Sequence, residues 1–277
     1  MHAVPKKPLL EEDADLSEGP RPIGQPAMFS LRLRWVGLML ACTVLWVLGY
    51  RFVQGWWQAE YAARWTILSG LGLIFLLWRL WRNLAENHRP GEEVLLPKLG
   101  WGGALTFWRG VLTSALLGFL ISPQPQGGQA WLPGAFFCAG VLLLPLAGWL
   151  SCREKRVTCL GSNLAAPVNS ASLLIGTLLV VQYGQAPWWY LLVGLGHSLY
   201  LVWVWLRQRK GQPVYPLTRG GLHSALAALE YPFLGLMLLP LFSPPLTTIA
   251  ASAAMPLLLF CLWKDWQLAT RTPLENP

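Results

Sequence analysis

The sequence predicts an all-α, polytopic membrane bundle of about eight transmembrane helices, and three observations predict it. Hydrophobic residues make up 54% of the 277 and charged residues only 12%, against about 25% charged in a soluble domain. The apolar stretches run close to 20 residues, the length that crosses a hydrocarbon core as helix. They are continuously apolar and do not alternate at period two, which excludes lipid-spanning strands.

Taken in order, the expected spans are 35–53, 61–80, 103–122, 131–151, 164–183, 187–206, 222–242 and 246–263. Residues 1–30 precede them with Lys6, Lys7, the acidic run Glu11 to Asp15, and Pro20, Pro22 and Pro26. That composition cannot bury a core, so a disordered tail is expected. Spans one and two, with the connector up to residue 102, form a leading unit. Between them Trp56 and Trp57 suit an interfacial turn at headgroup level. In the connector 81–102 an amphipathic surface helix is expected over part of the segment. Residues 103–277 form a six-span unit. Its second connection, 152–163, is basic, and the seventh span overall, holding Glu230, Pro232 and Pro240, is expected to be irregular.

Charge gives the expected orientation. Eighteen of the 21 Lys and Arg residues fall on one side of this eight-span layout; Arg51 and Arg64 fall on the other and Arg109 lies within a span. Positive residues are retained on the cytoplasmic face, so both termini are expected there, in a cell inner membrane. The net charge of +8 is then a topology signal that also attracts anionic lipid. No soluble basic domain exists to bind nucleic acid. The five cysteines, Cys42, Cys138, Cys152, Cys159 and Cys261, show no disulfide framework, and no metal site is expected from them.

The stretch from Leu144 to Asn169 carries the most specific pattern. It reads Leu144-Pro145-Leu146-Ala147-Gly148-Trp149-Leu150-Ser151-Cys152, then eight residues, then Gly161, Ala165 and Asn169. The spacing is that of D-x-x-D-G-x-x-A-R-x8-G-x3-D-x3-D, in which both glycines are retained. Upstream, Leu105-Thr106-Phe107-Trp108-Arg109 is similar to a Leu-Thr-x-x-Arg opening, and downstream Gly220-Gly221-Leu222-His223-Ser224 is similar to Gly-Lys-x-x-Thr without its lysine. On these residues the last two thirds of the chain resemble the CDP-alcohol phosphatidyltransferase family.

The resemblance implies a six-helix core and the transfer of a phosphoalcohol group from a CDP-linked donor to an acceptor hydroxyl. In that family the four acids hold divalent metals on the diphosphate, and the last is placed as base. Hard cations need oxygen ligands and a hydroxyl nucleophile needs a base. Here those positions are Leu144, Ala147, Ala165 and Asn169, so a catalytically degenerate member is expected, with no metal and no cofactor. The expected ligand is an anionic membrane-lipid headgroup held by Arg109, Arg153, Lys155 and Arg156, and the expected protein partner is a second copy or a membrane enzyme. Glu154, His223 and Glu230 are candidates for a polar cavity, with Glu230 paired to Arg109 or to His223. His197 reads as a packing residue. Two alternatives stand beside this reading. One is an active transferase using Mg or Mn through Glu154, Glu230 and Asn169; the other is a membrane scaffold or transporter with no family link.

Overall fold

The computed structural model describes residues 25–92, 94–153, 157–212 and 221–270, with the side chains of 25, 152, 221–227 and 270 excluded. The regular structure of the described residues is all helical, without strands. The α-helices are α1 (Gln25–Gln54), α2 (Ala59–Arg82), α3 (Trp101–Leu117), α4 (Leu132–Arg153), α5 (Cys159–Gln182), α6 (Leu191–Arg209), α7 (Gly221–Leu238) and α8 (Pro244–Thr270). Each falls on one of the expected apolar stretches. Among the described residues, six helical stretches are long and apolar enough to cross a membrane: Pro26–Gln54, Ala59–Arg82, Gly127–Ser151, Cys159–Gln182, Trp188–Arg209 and Pro244–Ala269. Their outward faces carry large apolar side chains, such as Ile67, Ile74, Phe75, Leu142, Leu199 and Ile249. That much exposed apolar surface fits lipid as the surrounding solvent. The protein is an α-helical integral membrane bundle.

Helix α3 is the hub. It packs against α2, α4 and α5, while α5 also meets α6 and α7, α4 meets α7, and α8 closes on α6 and α7. Small residues bring the backbones together, since hydrocarbon supplies little drive for helix association. A Cβ on Gly194 of α6 would fall against Thr177 of α5, and one on Gly176 of α5 would fall against Phe137 of α4. Polar side chains also pair between helices: Thr113 of α3 with Ser172 of α5 at 2.7 Å, and Ser170 of α5 with Ser198 of α6 at 3.0 Å. Two indoles fasten α1 to α2, Trp35 Nε1 donating to Leu77 O at 2.9 Å and Trp46 Nε1 to Thr66 O at 3.1 Å.

Several sequence expectations are corrected. Helix α1 is already formed at Gln25, inside the stretch expected to be a tail. Proline is tolerated in a first turn, and Leu31 is fully buried against the α2 end. The connector holds only a single 3₁₀ turn, Leu84–Glu86, in place of an amphipathic helix. Pro90, Gly91 (φ 81°) and Pro97 break helical geometry there. The buried amide of Asn87 then pins the extended stretch, donating to Leu96 O at 2.8 Å and Lys98 O at 3.1 Å. Trp56 and Trp57 stack on each other at 5.1 Å, and Trp57 packs on Phe119, so this turn caps the core as well as closing a hairpin. Helix α7 runs through Pro232 without a break and stops before Pro240.

Candidate functional site

Three helix faces meet at the ends of α3, α4 and α5. On α4, Leu144, Ala147, Gly148 and Ser151 recur at i, i+3, i+4 and i+7, which places them on one stripe. On α5, Gly161, Ala165 and Asn169 recur every fourth residue. On α3, Gly102, Thr106 and Arg109 do the same within a residue. These stripes enclose a cavity of about 240 Å³ lined by Arg109, Leu144, Ala147, Gly148, Gly161 and Ala165, with Gly102, Gly103, Thr106, Ser151 and Thr158 completing the wall.

The wall is close-packed because its residues are small. A Cβ added to Gly102 would land on Ser151 Oγ, and a Cβ on Gly161 would stand 3.6 Å from Gly103 Cα. Gly148 has open space where a Cβ would be, since it borders the cavity itself. Thr158 caps α5, its Oγ1 accepting from Gly161 N at 3.1 Å.

Arg109 is 2% exposed and is the charged group of this cavity. Its guanidinium lies 6.0 Å from the Tyr231 ring centroid, and no carboxylate among the described residues is within ion-pair distance of it. The expected pairing of Arg109 with Glu230 is therefore replaced by the tyrosine next door. Neighbouring residues on a helix point about 100° apart, so Tyr231 turns toward α3 while Glu230 turns into a second cavity.

That second cavity, about 420 Å³, lies among α5, α6, α7 and α8 and shares Leu144 with the first. Asn169, His197, Tyr200, Glu230, Tyr231 and Asp265 line it. Sequence reasoning missed Asp265 and took His197 as packing. Asn169 thus belongs to the second cavity and not to the one lined by Leu144, Ala147 and Ala165; its Oδ1 is enclosed and accepts no hydrogen bond among the described residues. Tyr231 bridges the two, its hydroxyl donating to Asn169 O at 3.4 Å.

The other expected residues are Arg153, Glu154, Lys155, Arg156 and His223. Arg153 is exposed and stacks over Trp149 at 5.3 Å, away from the cavity lining. Glu154, Lys155 and Arg156 lie outside the described residues, as does the His223 side chain. No group of three or more His, Cys, Asp or Glu among the described residues is placed to hold a metal ion. The divalent metals that the family resemblance implies do not fit the first cavity, because its described lining offers side-chain hydroxyls and no carboxylate, with a leucine and two alanines at the acid positions. No family model, curated protein or solved structure matches the chain.

Proposed function

We propose that this chain is a divergent relative of the CDP-alcohol phosphatidyltransferases that has lost the metal-dependent step and holds an anionic lipid headgroup in the α3–α4–α5 cavity. The observation that carries the reading is the company Arg109 keeps. A buried guanidinium lines one cavity with five of the six positions singled out by the family spacing. Desolvating an arginine costs several kcal/mol unless an anion answers it. The Tyr231 ring offsets part of that, on the order of 1–2 kcal/mol. A phosphate would complete the compensation through paired N–H donors.

In this reading α3 to α8 are the six-helix core, α1 and α2 are an addition to it, and all eight helices span the membrane. The Arg153 end of the bundle is cytoplasmic, in keeping with the bias of positive charge. A second copy or a partner membrane enzyme would use the same cavity-bearing unit.

Titration of the purified chain with sn-glycerol 3-phosphate tests this. Saturable binding is expected, weakened by about tenfold or more in Arg109→Gln and unchanged in Arg153→Gln. Equal binding by the wild type and Arg109→Gln would defeat the proposal.

A second reading, an active transferase with a rearranged site, is favoured by the Asn169, His197, Glu230 and Asp265 lining of the neighbouring cavity. It requires those oxygens to replace the absent acids, and Leu144 stands between the two cavities.

A further inference from the structure

The largest of the described cavities by volume lies outside both of these. It measures about 560 Å³ and opens between the start of α1 and the start of α3, beside the helix hairpin that the family core does not require. Its rim holds Arg34 and Lys98, and among the described residues no acid lines it. Its deeper wall is apolar and aromatic: Leu38 on α1, and Phe107 and Trp108 on α3. Those two aromatics lie roughly 10 Å further along α3 than its cap at 1.5 Å per residue.

We infer that this groove is a binding site for one anionic membrane phospholipid, with the phosphate at Arg34 and Lys98 and an acyl chain along the α1–α3 cleft. Four features support a lipid of that charge. The groove has a cationic mouth and an apolar floor, the two-part chemistry of a phospholipid. Its volume falls in the range of about 300–1,000 Å³ typical of ligand pockets. Helix α3 begins at Trp101, and its N-cap Gly100 lines the groove without offering a side-chain cap, so the uncapped helix start beside the mouth favours an anion. The mouth is also built in place. Asn87 pins the Lys98 carbonyl, and Ser30 Oγ of α1 donates to Pro97 O at 3.1 Å.

Gly37 gives the groove its width. A Cβ there would meet nothing within 4 Å, so a larger side chain enters the cleft from an unobstructed first atom. In a helix interior glycine is also the weaker choice by about 1 kcal/mol relative to alanine, so filling it does not work against folding.

The test is photo-crosslinking of the purified full-length chain in liposomes, using phosphatidylglycerol with a diazirine in its acyl chain, followed by peptide mapping. Adducts are expected on the segments holding Gly37–Leu38 and Phe107–Trp108. Gly37→Phe should abolish them. Arg34→Gln and Lys98→Gln should each lower the yield about fivefold, and together about thirtyfold; this pair leaves the groove shape intact and covers a failure of Gly37→Phe to fold. Arg109→Gln should leave the adducts unchanged, which separates this site from the α3–α4–α5 cavity. Three results would overturn the inference: equal adducts from a phosphatidylcholine analogue, adducts that persist in Gly37→Phe, or full displacement by excess inorganic phosphate.

Discussion

The guanidinium of Arg109 on α3 stands 6.0 Å from the ring centre of Tyr231 on α7. The same tyrosine reaches Asn169 on α5 through its hydroxyl. One aromatic side chain therefore covers a buried cation on one side and closes a second cavity on the other. Tyr231→Phe keeps the ring and loses the hydroxyl, which bonds Arg109 as well as Asn169 O, so it should cost about 1–2 kcal/mol. Tyr231→Ala removes the cover as well and should cost roughly 3–5 kcal/mol. Thermal unfolding in detergent distinguishes the two; equal effects would show that the hydroxyl, not the ring, is what matters.

The helix seam around the cavity should discriminate between its glycines. Gly102→Ala forces a methyl group onto Ser151 Oγ and is expected to destabilise by about 1–3 kcal/mol. Gly148→Ala meets open space and should stabilise slightly, by up to about 1 kcal/mol. The melting temperatures of the two variants should move in opposite directions.

At the far end of α3 the amide of Gln182 fastens the turn. It accepts from Ile121 N at 2.9 Å and donates to Phe119 O at 3.2 Å and Ser122 O at 2.6 Å. Ile121 is held there at φ 61°, a conformation that costs a non-glycine residue about 1–2 kcal/mol. Gln182→Ala should therefore lower stability by roughly 2–3 kcal/mol. Ile121→Gly should raise it by about 1 kcal/mol, because the isoleucine is 72% exposed and has little packing to lose. Loss of stability in Ile121→Gly would mean that its side chain is anchored in lipid.

Much of the bundle was legible from hydropathy because a bilayer leaves a helix as the simplest way to satisfy a long apolar segment. The seam among α3, α4 and α5 was legible for a second reason: spacing fixes which residues share a stripe, so Leu144, Ala147 and Gly148 had to face one way whatever their neighbours. The second cavity was not. A helix that is apolar all round carries no sign of which face turns inward, so the single polar residues His197 and Asp265 gave no direction. Only the packing of α6 and α8 brings them beside Glu230. The connector misled for a local reason. Its mixed charges suit an amphipathic helix, but Pro90 and Pro97 withhold two backbone donors and the Asn87 side chain takes the Leu96 and Lys98 carbonyls.

The proposed loss of metal chemistry is tested most directly by incubating the purified wild-type chain with a CDP-linked lipid and Mg²⁺ or Mn²⁺ and measuring the CMP set free. No CMP above the protein-free control is expected. Metal-dependent release that disappears in Glu230→Gln would contradict it and assign the chemistry to the cavity among α5, α6, α7 and α8.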